Sequence, residues 1–95
     1  MQGQSPRLDP VTNPQELDRN AYNIAFRELD LCWQWDEKTY LELQAISAET
    51  DRLRSYLQAQ HEYLLKAYDA EFLIDAIRVT KERCYDDLVN SRDEP

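Results

Sequence analysis

Leu73, Ile77, Thr80, Cys84 and Leu88 follow one another at spacings of four, three, four and four. Those intervals bring all five side chains onto one face of an α-helix. Tyr68, Phe72 and Ala76 widen the face, so the spacing predicts helix over about 62–90, with Tyr68–Asp69 as the place for an interruption. The same reading extends upstream. Asn13 can cap a helix, Pro14 suits the first helical position and Glu16 completes a capping-box-like pattern. A first helix over 14–30 then buries Tyr22, Ala25, Phe26 and Leu29. Leu31-Cys32-Trp33-Gln34-Trp35 alternates apolar and polar residues, but a lone strand has no ladder partner. This stretch is expected as an extended connector with its bulky side chains tucked against the helices. Asp36 caps a second helix over about 37–46, with Tyr40, Leu43 and Ile46 inward. After a break at 47–49, a third helix over about 50–60 turns Leu53, Tyr56 and Leu57 inward.

These elements predict an all-α chain: a compact antiparallel bundle of about four helices. Residues 14–90 form one helical domain. Residues 1–13, with Gly3, Pro6 and Pro10 among polar neighbours, are expected as a flexible polar arm, and 91–95 as a frayed end. The 95 residues suffice for one domain. So short a chain buries a modest share of its surface, and a homodimer or a partner complex would relieve that shortage.

Composition excludes more than it proposes. Nineteen acidic residues against eleven basic ones give a formal charge of -8, which argues against nucleic acid and against an anionic membrane, since both need clustered Lys and Arg. Gly3 is the sole glycine, so neither a phosphate-cradling loop nor a dinucleotide fingerprint nor a serine nucleophile elbow is available. Two cysteines, Cys32 and Cys84, and one histidine, His61, do not complete a zinc set. The polar stretch 1–14 lacks a signal-peptide core, and no apolar run approaches the ~20 residues that cross a bilayer. A cytoplasmic chain with reduced thiols is expected, with no cofactor and no bound metal.

Several short pieces together resemble a known family. Ala21-Tyr22-Asn23-x-Ala25-Phe26-x-Glu28-Leu29-x-Leu31-x-Trp33-x-Trp35-Asp36, followed by Tyr40 and Leu43, is similar to the helical cap domain of haloacid-dehalogenase-like phosphatases, the sugar-phosphate phosphatase branch above all. Asp51-Arg52-Leu53-Arg54-x-Tyr56-Leu57 resembles the segment after the cap's substrate loop, and Ile77-x-x-x-Lys81-x-x-x-Tyr85-x-x-Leu88 its last helix. The resemblance covers about residues 21–90. It implies a catalytic aspartate pair just upstream, but Ser5 and Arg7 fall there, and neither forms a phospho-aspartate. The family's glycine pair and lysine of the substrate loop fall at Ala48, Glu49 and Thr50. The α/β core, with its magnesium carboxylates and lysine, has no counterpart. The resemblance therefore implies a cap without its enzyme.

The remaining residues carry little chemistry. His61, between Gln60 and Glu62, reads as a surface or hydrogen-bonded filler unless a nucleophile accompanies it. Acid pairs such as Glu71 with Asp75 arise by chance in so acidic a chain. Aromatics make up 11% of the sequence and serve first for packing. Trp33, Trp35 and Tyr40, with Arg52 and Arg54 as the nearest basic residues, would mark a protein-binding surface if partly exposed together. The function expected is a non-catalytic interaction module, open to self-association, that presents this aromatic face to a protein partner. The alternatives are an accessory cap subunit over a separate phosphatase core and an acidic inhibitor or nucleic-acid mimic.

Overall fold

The computed structural model describes residues 14–92, with side chains over 14–90. The residues expected as an arm, including Asn13, Ser5 and Arg7, lie outside the described residues, as do 93–95. The regular elements among the described residues are all helices: α1 (Pro14–Glu28), α2 (Glu37–Gln44), α3 (Glu49–Gln60), α4 (Glu62–Ala67) and α5 (Ala70–Arg92). No strand occurs among the described residues. No helix among them is long and apolar enough to cross a membrane.

Five helices replace the expected four because the interruption anticipated at Tyr68–Asp69 separates α4 from α5. Tyr68 is extended, with φ -132° and ψ 150°, and the Asp69 carbonyl starts the next helix by accepting from Leu73 N–H at 3.1 Å. His61, at φ -140° and ψ 41°, makes the other break, between α3 and α4.

The helix ends follow local chemistry. α1 stops two residues earlier than predicted, at a Schellman turn. Asp30 takes a left-handed φ of 65°. Its N–H donates to the Arg27 carbonyl at 3.1 Å, while Leu31 N–H reaches the Phe26 carbonyl at 2.8 Å. Glycine is the usual residue at this position, and aspartate is one of the few others that tolerate it. Asp36 caps α2 as expected, its carboxylate accepting from Thr39 N–H at 2.8 Å. α2 ends at Gln44, short of the predicted Ile46. Its last carbonyls, Glu42 and Leu43, accept from Ala45 and Ile46 in a tighter turn. Two acids, Glu49 and Asp51, occupy the first turn of α3, where they favour the helix dipole.

The packing falls into two clusters. Where α1 meets the later part of α5, small side chains let the two helices approach: Ala21, Ala25 and Cys84 are buried together, with Ile24, Tyr85 and Leu88 around them. The larger cluster is aromatic. Tyr22 and Phe26 of α1, Trp33 and Trp35 of the connector, Tyr40 of α2, Leu53 and Leu57 of α3, and Leu73, Ile74 and Ile77 of α5 bury one another.

The connector is extended, as expected, and its alternation puts Trp33 and Trp35 inward while Cys32 and Gln34 face out. On α5 the predicted face holds at Leu73, Ile77 and Cys84 but not at its widening. Phe72 is 61% exposed and Tyr68 51%. The buried sector widens instead through Ile74, on the opposite side of Leu73 from Phe72.

Candidate functional site

The densest polar chemistry lies where α1, α2, α3 and α5 converge. On α1, Asp18 and Tyr22 stand one turn apart; on α5, Arg78, Lys81 and Tyr85 continue one stripe at spacings of three and four. Lys81 Nζ sits 2.6 Å from Asp18 Oδ1 and 3.7 Å from Glu49 Oε2. It lies over the Tyr22 ring at 4.8 Å and near the Tyr85 ring at 5.6 Å, within the range of a cation–π contact. The Tyr40 hydroxyl donates to Asp18 Oδ2 at 2.7 Å. The Tyr22 hydroxyl donates to Glu49 Oε2. Arg78 Nε approaches Glu49 Oε1 at 3.5 Å.

Each oxygen of the two carboxylates thus faces a cation or a phenol donor. Burial pushes the Tyr22 and Tyr40 hydroxyls well above the ordinary phenol range, and the carboxylates they bond add to the shift. Both phenols therefore stay protonated and donating. Asp18 and Glu49 thus face two cations, Lys81 and Arg78, and Arg78 is shared with Asp75 at 3.0 Å on the exposed side. Beside it opens a cleft of about 330 Å³, walled by Asp18, Tyr40, Lys81, Glu82, Tyr85 and Asp86.

The residues singled out in the sequence do not assemble into one surface. Trp33, Trp35 and Tyr40 are 8%, 2% and 5% exposed, so they form core rather than an aromatic face for a partner. Phe26 explains the burial: its ring meets both indoles edge-on, at 5.2 Å to Trp33 and 5.0 Å to Trp35. Arg52 turns back on its own loop, donating from Nε to the Ile46 carbonyl at 2.6 Å and from an Nη to the Ser47 carbonyl at 2.9 Å. That grip, with Glu49 held by Tyr22 and Lys81, fixes the turn between α2 and α3, where the family resemblance places a substrate loop. Arg54 instead ties α3 to α5 through Glu71 at 2.7 Å, on the exposed side.

His61 is the hydrogen-bonded filler that the sequence suggested. Its ring stacks on Trp33 at 4.1 Å with 22° between planes. Its two nitrogens lie 3.2 Å and 3.3 Å from the Tyr63 and Tyr56 hydroxyls. Burial lowers its pKa below the ordinary histidine value. Cys84 is buried, and its thiol points at Glu28 Oε2 across 3.8 Å. Burial first, then the Glu28 charge, raise its pKa, which works against a reactive thiolate.

Four side chains, Asn23, Arg19, Lys81 and Asp18, have structural roles that the sequence reading did not assign, although Asn23 and Lys81 stood within the family resemblance. Asn23 is buried at 6% exposure. It brackets the connector backbone, accepting from Trp35 N–H at 2.7 Å and donating to the Trp35 carbonyl at 3.0 Å. Arg19 adds a second donor to that carbonyl at 3.1 Å. The signal for Asn23 was its place between Tyr22 and Phe26 on a face otherwise apolar. For Lys81 it was a cation midway between Ile77 and Tyr85 on the buried stripe. Asp18 carried no comparable signal, because its role depends on the approach of α2 and α5.

Over 71 residues the chain is 30% identical to "Protein CbbY, plasmid" of Cupriavidus necator. The matched stretch is 75% of this chain and 28% of that protein, so the chain spans less than a third of this curated relative. Any 71-residue match within 95 residues takes in residues 25–71, and with them the connector, α2 and α3. No family model matches the chain, and no solved structure matches it.

Proposed function

We propose that this chain is a cap-like helical module of the haloacid-dehalogenase-like kind, working against a phosphatase core in the same polypeptide or in another. The observation that carries the reading is the similarity to part of a much longer protein, over a region that includes the cap-like connector. The all-helical architecture accords with it, and in this reading the helices form an antiparallel bundle that closes over the core. The turn between α2 and α3, gripped by Arg52 and Glu49, is then the segment that borders the substrate. Its acidic Glu49 is neutralised by Lys81 and Arg78 rather than aimed at a phosphate. Catalysis belongs to the core, since the polar cluster here serves to hold four helices together.

The experiment pairs the purified chain with a haloacid-dehalogenase-like phosphatase core from which the cap has been deleted. The expected result is a changed ratio of activity on sugar phosphates to activity on p-nitrophenyl phosphate. The Arg52→Ala variant, with its turn released, is expected to reduce that change. An unaltered ratio, with no association in size-exclusion chromatography, rejects the reading.

A second reading, a module for a protein partner or for a second copy of itself, is favoured by a different surface from the one read in the sequence. Tyr68 and Phe72 are exposed and stacked on each other at 6.3 Å. They border an apolar groove of about 420 Å³ that also contains Leu31, Leu64, Leu73 and Ile77. Apolar surface of this kind is typical of interaction sites. Replacing both Tyr68 and Phe72 by serine is expected to abolish association, read by light scattering and pull-down, while leaving the helical circular dichroism intact. Association that survives the double replacement removes this reading.

A further inference from the structure

The apolar groove beside Tyr68 and Phe72 continues as a stripe along α5. Phe72, Ala76 and Val79 follow at spacings of four and three, so they share one face of the helix. Phe72 and Val79 are exposed, and the exposed Tyr68 ring lengthens the stripe by stacking on Phe72. Beside it runs a second stripe of a different kind. Glu71, Asp75, Glu82 and Asp86, all exposed, follow at spacings of four, seven and four. Arg54 and Arg78 pair with Glu71 and Asp75. Glu82 and Asp86 have no ion-pair partner among the described residues. Nor has Asp30, the one charged residue in the wall of the groove.

An apolar strip bordered by carboxylates selects its occupant by charge. A second copy of this chain brings the same acids to the contact, and each copy carries a formal charge of -8, so the two repel. A partner that adds a strand finds no edge to pair with, since no strand occurs among the described residues. What fits is a helix with an apolar face for the stripe and Lys or Arg beside that face for the acids. Apolar residues at spacings of three and four match the rhythm of Phe72, Ala76 and Val79. The small Ala76 leaves room for a large side chain between the two bulkier residues, as ridges of one helix enter the grooves of another. We infer, resting on the second reading above, that the groove and the α5 stripe take a basic amphipathic helix of a partner protein rather than a second copy of this chain.

The test uses the whole chain, with a fluorescently labelled amphipathic peptide of Leu and Lys as the probe; about 18 residues span the stripe. One control peptide has Glu in place of every Lys, and another has the same Leu and Lys scrambled out of helical period. Fluorescence anisotropy is expected to give the Leu–Lys helix a dissociation constant on the order of 10 μM, weakened by added salt, and to show both controls binding about tenfold more weakly or worse. Asp75→Lys with Glu82→Lys is expected to weaken binding by roughly threefold to tenfold, and Tyr68→Ser with Phe72→Ser by about tenfold or more. Glu37→Lys with Glu42→Lys, on α2 and outside the groove, is expected to weaken it by less than about twofold. Circular dichroism shows that each variant folds. No binding at about 1 mM peptide overturns the basic-helix partner. So does a scrambled peptide that binds as tightly, or an α2 reversal that weakens binding as much as the α5 reversal, since either means attraction to net charge alone. Sedimentation equilibrium of the chain by itself keeps the two levels apart. A dimer that Tyr68→Ser with Phe72→Ser dissolves overturns the basic-helix partner but sustains the second reading, while the absence of both dimer and peptide binding removes that reading as well.

Discussion

Two six-residue segments of this chain invert the usual relation between regularity and burial. Residues 31–36 are neither helix nor strand, yet they carry Trp33 and Trp35 into the largest buried cluster. α4 is a regular helix and buries no residue fully. The connector tolerates burial because Asn23 supplies both halves of a backbone pairing to Trp35, and Arg19 adds a third bond. A buried irregular segment ordinarily fails for lack of such partners. α4 satisfies its backbone internally and can therefore be left at the surface. Burial in this chain thus follows side-chain partners rather than secondary structure.

The most severe test of that contrast is Trp35→Ala. It removes the side chain packed against Tyr22, Phe26 and Tyr56 and leaves a large void. The expected cost is about 3–5 kcal/mol, a large part of the ~5–15 kcal/mol that holds a small domain together. Urea unfolding followed by circular dichroism measures it, and a loss below about 1 kcal/mol means that the connector is not core. Next comes Asn23→Ala, which strands the Trp35 N–H in the interior at a cost of about 1–3 kcal/mol. Asn23→Asp keeps an acceptor for that N–H but turns an oxygen toward the Trp35 carbonyl, so it is expected to rescue little. If aspartate restores full stability, the donor half of the bracket is dispensable.

A smaller effect, of opposite sign, comes from the turn that feeds the connector. Asp30 holds a left-handed φ of 65°, which costs a non-glycine residue strain of roughly 1 kcal/mol. Asp30→Gly is expected to stabilise the chain by up to that amount, less the entropy glycine gives to the unfolded chain. Differential scanning calorimetry reads it as a raised melting temperature; a fall shows that the aspartate side chain, not the backbone, secures the turn.

What the sequence made legible was local. The period along α5, the Asp36 cap, the break at Tyr68–Asp69 and the tucked tryptophans all depend on neighbours within a few residues. What stayed hidden depends on contacts across the chain. Asn23 meets Trp35 twelve residues away, and Lys81 meets Asp18 and Glu49 on other helices. Phe72 was assigned inward because its spacings of four to Tyr68 and Ala76 are helical, but spacing cannot say which way a wide apolar stripe is rotated. The large buried cluster takes in Ile74 and leaves Phe72 outside. The candidate site was half visible: Tyr40 and Arg52 were named for an exposed face and proved to serve the interior cluster and the α2–α3 turn.

His61 joins the two contrasted segments, since it stacks on Trp33 of the connector and immediately precedes α4. Burial holds its pKa below the ordinary 6.5, so the unfolded chain takes up this proton first as acid is added. Its contribution to stability is therefore complete above about pH 6.5 and is lost as the pH falls toward the folded value. The groups facing the ring are Trp33, Tyr56 and Tyr63, none of them charged at this pH. The difference in unfolding free energy between the chain and its His61→Phe variant is expected to shrink from pH 7.5 to pH 5.5. A difference that grows in acid reverses the sign and implies a stabilised imidazolium.

The smallest effect is expected from α4 itself. Tyr63 is 62% exposed, and its contacts are with the His61 ring, at 5.7 Å between centroids, and with Nδ1. Tyr63→Ala is expected to change stability by no more than about 0.5 kcal/mol, as for other exposed positions. His61 should still titrate below its ordinary value in the variant, followed by NMR of the ring protons, because Trp33 continues to cover one face of it. A loss above about 1 kcal/mol makes α4 a structural partner of the connector after all. A return of His61 to the ordinary value identifies Tyr63, rather than the tryptophan, as the group that shields it from water.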